Sequence, residues 1–182
     1  IYNSKIIWKV LYDKLGSLIR VYFSLSKLEK VIGLILCFNI LNLLLCSLGP
    51  PTDADSLDYH LGVPLLWIRD FADYPKATWL HSRLIGLGEV INYIGLVCGT
   101  DILGQLIQYS GLWIIWYSLL KFVYGTNQRI LLALLIFSVP LNIWLVSTQK
   151  PLLFPSAVMI AGFCIYIQQK NSFNPFYHTV AS

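Results

Sequence analysis

Four stretches of the chain run through apolar residues without a single charge: residues 31–49 (VIGLILCFNILNLLLCSLG), 102–120 (ILGQLIQYSGLWIIWYSLL), 130–147 (ILLALLIFSVPLNIWLVS) and 152–168 (LLFPSAVMIAGFCIYIQ). An α-helix rises 1.5 Å per residue, so about 20 apolar residues cross the hydrocarbon core of a bilayer. Each stretch therefore predicts a transmembrane helix. Asn39 and Asn42 lie within the first. They are expected to face other helices, because an amide turned to lipid lacks a partner. Pro140 predicts a kink in the third stretch, and Pro155 falls in the first turn of the fourth.

The segments between these runs read differently. In residues 1–30, Ile6, Ile7, Val10, Leu11, Leu15, Leu18 and Ile19 recur at helical spacing among Lys5, Lys9, Lys14 and Arg20. This pattern fits an amphipathic helix in the membrane surface, or equally a soluble helix packed on the rest of the protein. Gly49-Pro50-Pro51 ends the first span. Beyond it, Leu57, Leu61, Pro64, Leu65 and Ile68 mark one apolar face of a further helix. Residues 84–98 (LIGLGEVINYIGLVC) are apolar but carry Glu89 and Asn92 and are interrupted by Gly86 and Gly88. A charge at the centre of a span costs roughly 3 kcal/mol on insertion scales. This segment is therefore expected to lie along the surface.

Composition agrees. Only 12% of the 182 residues are charged, against about 25% in soluble domains. Aromatic residues make up 14%, a content suited to membrane interfaces. The four cysteines, Cys37, Cys46, Cys98 and Cys164, are scattered and show no metal spacing. The position of the charges tests the layout. With a cytoplasmic N-terminus, the inner segments 1–30, 121–129 and 169–182 hold Lys5, Lys9, Lys14, Arg20, Lys27, Lys30, Lys121, Arg129 and Lys170, against Asp13 and Glu29. The outer segments hold Arg69, Lys76, Arg83 and Lys150, against Asp53, Asp55, Asp58, Asp70, Asp73, Glu89 and Asp101. That asymmetry follows the positive-inside rule, and making 84–98 a span weakens it.

The expected fold is all-α: a polytopic bundle of about four spans in the cell (inner) membrane. A basic segment 1–30 precedes a transmembrane module 31–168. Within the module, the extracytoplasmic loop 50–101 bears amphipathic surface helices. A cytoplasmic tail, 169–182, follows. The chain starts at Ile1 and stops soon after an apolar run, so it is expected to be a piece of a longer protein.

The loop carries the candidate chemistry. Asp53, Asp55, Asp58 and His60 fall together just past the membrane exit. Asp55 is placed to take a proton from a bound hydroxyl. Paired with Asp53, it is equally placed to hold a divalent cation through oxygen ligands. Helix capping explains the same carboxylates, since Thr52 and Asp55 have nearly capping-box spacing. His60 alone reads as an exposed or hydrogen-bonded histidine.

Asp55-Ser56-Leu57-Asp58-Tyr59-His60-Leu61, followed by Pro64 and Trp67, resembles the D-x-L-x-Y-H-L-x-x-P signature of bacterial polytopic glycosyltransferases of the GT-C superfamily. The superfamily includes protein O-mannosyltransferases and aminoarabinose transferases. The likeness continues at Tyr74-Pro75, Gly88-Glu89, Gly99-Thr100-Asp101 and Ser147-Thr148-Gln149-Lys150-Pro151. It implies that Asp55 is a general base, with Asp53, His60, Glu89 and Lys150 shaping the substrate site. It also implies a sugar donor linked to a polyprenyl phosphate and an acceptor attacking outside the cytoplasmic leaflet. Lys150 would meet the leaving phosphate, unless it is a lysine snorkelling to the interface. Glu89 would face the same pocket, unless it is solvated on a surface helix. Arg83 and His81 are secondary candidates. The expected partners are the bilayer and the lipid-linked donor, not nucleic acid. A competing expectation is a non-enzymatic membrane subunit or transporter whose acidic loop binds a cation or a partner, with Gln105, Gln108, Asn39 and Asn42 along a polar path.

Overall fold

The structure is a computed structural model describing residues 25–70 and 86–172, together with Lys9 and Tyr12. The expected N-terminal amphipathic helix, Tyr74-Pro75, His81 and Arg83 lie outside the described residues. Seven α-helices follow in order: α1 (Lys27–Leu48), α2 (Gly62–Asp70), α3 (Leu87–Val97), α4 (Leu103–Leu120), α5 (Thr126–Phe137), α6 (Pro140–Val146) and α7 (Leu153–Ser172). A short π-helical turn, Ser56–His60, precedes α2. Among the described residues there is no strand, so the fold is all-helical. Two units divide the chain, residues 1–38 and 39–182.

Local sequence explains where α1 starts and stops. Ser26 Oγ accepts from the Glu29 N–H, and Glu29 Oε2 accepts from the Ser26 N–H at 2.7 Å. This reciprocal capping box satisfies two backbone donors that a helix N-terminus leaves orphaned. Gly49 and Pro50 stop the helix. α1 is long and apolar enough to cross a membrane. Asn39 donates to Ser138 Oγ at 2.8 Å, as expected of a span amide, whereas Asn42 is exposed.

The stretch 130–147 is broken into two helices rather than gently kinked. α5 and α6 meet at 56°, with Pro140 in the first turn of α6. A proline lacks the N–H that a continuous helix needs there. Asn142 donates to the Ile136 carbonyl at 2.7 Å, serving an acceptor at the break.

α4 makes its most extensive packing with α7. Gly111 allows the close approach: a Cβ there would sit 3.1 Å from the Phe154 Cα. Three glutamines then tie helix ends together. Gln105 donates to the Ser147 carbonyl at 2.8 Å, Gln108 accepts from the Phe154 N–H at 2.9 Å, and Gln149 donates to the Asp101 carbonyl. Gln105 and Gln108 thus serve backbone groups instead of lining a polar path.

Polar side chains are buried beside apolar ones such as Leu43, Leu112 and Phe137. Ser47, Ser56, His60, Glu89, Asn92, Gln105, Gln108, Thr148 and Gln149 are buried, while many large apolar side chains lie exposed. α3 shows this most clearly. Glu89 and Asn92 are each 3% exposed, and Leu87 on the same helix is 83% exposed. At 11 residues α3 is also too short to cross a bilayer.

Candidate functional site

Past Pro50-Pro51 the chain re-enters helical backbone, and Asp53 sets the entry. Its Oδ1 accepts from the Ser56 N–H at 2.9 Å. The capping account of the acidic cluster therefore applies to Asp53 rather than to the Thr52–Asp55 pair, since Asp55 makes no cap hydrogen bond. The backbone then forms the π turn, closed by the Leu61 N–H on the Ser56 carbonyl at 2.9 Å. A π turn takes up an extra residue and shifts the register of everything after it. Ser56 and His60, four residues apart, both turn inward. The apolar face expected from sequence is split: Leu61 and Pro64 are buried, whereas Leu57 and Leu65 face out.

His60 meets α3. Its Nδ1 lies 2.6 Å from Glu89 Oε1, with both side chains buried. Two further bonds fix the pair. The Gly86 N–H donates to Glu89 Oε2 at 2.7 Å, and Asn92 donates to the His60 carbonyl at 2.9 Å. Burial pushes the Glu89 carboxyl up, but the hydrogen bonds from His60 and from the backbone outweigh it and hold it below the ordinary glutamate value. Glu89 is therefore an ionised, enclosed carboxylate, not a solvated residue on a surface helix.

Lys150 arrives from the segment between α6 and α7. Its Nζ lies 2.6 Å from Asp55 Oδ2 and 4.4 Å from the centroid of the Trp144 ring. The hydrogen bond to Asp55 raises the lysine above its ordinary range. An ion-paired lysine stacked on an indole is not one reaching out to an interface. Two contacts hold its segment in place. The Gln149 N–H donates to Ser56 Oγ at 2.8 Å, and the Pro151 ring lies against Gly88, where a Cβ would overlap it.

These elements border an open cavity of about 260 Å³, its polar groups supplied by Tyr59, His60, Glu89 and Lys150 and the rest of its wall by Gly86, Pro151 and Leu152. Pro151 also borders a second cavity of about 320 Å³ whose other walls, apart from Gln108, are apolar, among them Leu87, Ile91, Ile107 and Phe154. Of the residues predicted to form the site, His60, Glu89 and Lys150 line the polar cavity, and Asp55 reaches it through Lys150. Asp53 Oδ1 accepts from the Ser56 N–H, and Asp55 Oδ2 meets Lys150. Among the described residues no three His, Cys, Asp or Glu side chains gather as metal ligands.

Residues 3–170 match the DUF1420 N-terminal domain. The chain belongs to this family. Neither a curated protein nor a solved structure matches it. The matched region of DUF1420 contains every residue of the cavity.

Sequence reasoning missed Tyr59, Ser56 and Gln149 as parts of the site. Tyr59 lies between Asp58 and His60 in the motif, and its hydroxyl is raised above the ordinary tyrosine value, chiefly by burial and next by Asp55. Ser56 lies inside the motif too, but its partner Gln149 is 93 residues away. No local pattern announces such a contact.

Proposed function

We propose that this DUF1420 domain is the membrane-embedded part of a glycosyltransferase, which takes a sugar from a polyprenyl-phosphate-linked donor and passes it to an acceptor on the extracytoplasmic side. In this reading α1, α4, the bent α5–α6 pair and α7 are four spans of a multi-pass inner-membrane protein. The exposed apolar and buried polar side chains support it, because a lipid solvent favours apolar side chains outside and polar ones between helices. So does the segregation of basic residues to the segments taken as cytoplasmic.

One observation carries the enzymatic reading. The Asp55–His60 motif, α3 and the Lys150 segment, which are distant in sequence, converge on one polar cavity that adjoins an apolar one. A lipid-linked sugar has this same division, with a polar head and an apolar tail. The acceptor hydroxyl attacks the anomeric carbon, the bond from that carbon to the phosphate oxygen breaks, and the hydroxyl proton passes to Asp55. Lys150 meets the departing phosphate, an anion that competes with Asp55 for the ammonium group and so releases the carboxylate to act as base.

The test is a reconstitution of the full-length protein in proteoliposomes with radiolabelled polyprenyl-phosphate sugars. Label is expected to leave the lipid for a hydroxyl acceptor. Asp55→Asn is expected to abolish transfer while leaving membrane insertion intact. Undiminished transfer by Asp55→Asn would remove Asp55 from the mechanism. Cation flux without any sugar transfer would favour the binding or transport reading instead.

A further inference from the structure

His60 carries an unused nitrogen. Its Nδ1 is committed to Glu89 at 2.6 Å, yet its Nε2 is buried with no hydrogen-bond partner among the described residues. Which nitrogen holds the proton follows from the surroundings. Glu89 Oε2 takes the Gly86 N–H, and Oε1, as part of a carboxylate, can only accept. Nδ1 must therefore donate. Nδ1 donates in the neutral and in the protonated ring alike; in the neutral ring Nε2 is then a bare lone pair. Buried polar atoms in native proteins nearly always have partners. This one belongs to a ring lining a polar cavity of about 260 Å³.

We infer that His60 Nε2 is a hydrogen-bond acceptor for a hydroxyl group of the ligand, with Glu89 as the positioning residue that fixes its tautomer. The inference rests on the glycosyl-transfer reading for what that ligand is: the hydroxyl belongs to the acceptor or to the donor sugar. A lone pair repels phosphate and carboxylate oxygens, so His60 and Lys150 select opposite chemistries within one cavity. Lys150 takes the anion and His60 the neutral hydroxyl. A site that hydrogen-bonds a hydroxyl discriminates strongly against analogues lacking it.

Glu89→Gln gives the sharpest consequence. The Gly86 N–H still needs an acceptor, so the new amide turns its carbonyl oxygen there and its NH₂ toward Nδ1. The NH₂ then donates, Nδ1 becomes the lone pair, and the proton moves to Nε2. Acceptance of a ligand hydroxyl ends although the ring and its hydrogen bond remain.

The test uses ¹⁵N-histidine NMR of the protein in lipid nanodiscs, with the His60 signals assigned by their loss in His60→Gln. The wild type is expected to show a protonated Nδ1 and a bare Nε2. Glycerol, as the hydroxyl probe, is expected to shift Nε2, and inorganic phosphate to leave it in place. Glu89→Gln is expected to reverse the tautomer and remove the glycerol shift. A wild-type proton on Nε2, or no response to glycerol, overturns the inference. In the transfer assay, His60→Gln is expected to raise one KM tenfold or more. A rise for the acceptor assigns the hydroxyl to the acceptor, a rise for the donor assigns it to the sugar, and no change in either overturns the inference. If the wild type transfers no sugar, the glycosyltransferase reading fails alone, and the NMR result still decides the role of His60.

Discussion

Two side-chain pairs of equal length flank the cavity, and they are physically unlike. His60–Glu89 and Lys150–Asp55 both measure 2.6 Å. In the first, the side chains are 5% and 4% exposed; in the second, 17% and 56%. Removing one member of an enclosed pair strands its partner's polar group away from water, at a cost of about 3–5 kcal/mol. An ion pair with an exposed member is screened and contributes about 0–1 kcal/mol. Equal distances thus separate a structural clamp from an exchangeable contact. The clamp holds the site together, and the contact is cheap enough to be broken each time an anion arrives.

The largest effect expected from breaking this contrast is in Glu89→Ala, which should destabilise the protein by about 3–5 kcal/mol, read as a lowered Tm in detergent or nanodiscs. A Tm within error of wild type would show that the enclosed pair is no clamp. Next comes Gly88→Ala. Its methyl group would overlap the Pro151 ring, and overpacking of this kind costs about 1–3 kcal/mol. Because Pro151 follows Lys150, the variant should also lose transfer activity. Stability measured against pH then separates the pairs by sign. The folded-state pKa of Glu89 is depressed. Its contribution is therefore complete above the ordinary glutamate value and fades as pH falls through the lower folded value. Melting curves should show an acid-side loss that is absent in Glu89→Gln. The folded-state pKa of Lys150 is raised, so its contribution is complete below the ordinary lysine range and fades only as pH rises through the higher folded value. The smallest stability effect belongs to Asp55→Asn, at most about 1 kcal/mol, although transfer should vanish. A large drop in Tm for this variant would make both pairs clamps and end the comparison.

Much of the helical layout was legible in the sequence, because apolar runs are local. The predicted 31–49 and 102–120 correspond to Lys27–Leu48 and Leu103–Leu120. The predicted 152–168 begins within a residue of α7, which runs on to Ser172. The capping box at Ser26 and Glu29 places the start of α1 four residues before the apolar run. Pro140 marked a bend, but its size depends on how α5 and α6 pack. The motif led to Asp55 and His60 because the chemistry is concentrated in a few consecutive residues. The partners were not legible. His60 and Glu89 are 29 residues apart, and Lys150 lies farther still from Asp55. Nothing short of the fold says which carboxylate each one meets. The π turn was hidden as well, since Ser-Leu-Asp-Tyr-His reads as ordinary helix.

The glutamine ties set a timetable for synthesis. Gln105 waits for the carbonyl of Ser147, 42 residues later, and Gln108 for the N–H of Phe154, 46 residues later. While a ribosome is still adding that stretch, α4 carries two amides with nothing to bind. The helix is thus an incomplete passenger that settles only once the start of α7 has been made. A ribosome stalled before Phe154 should hold α4 in a state that a chaperone or the insertion machinery must shelter.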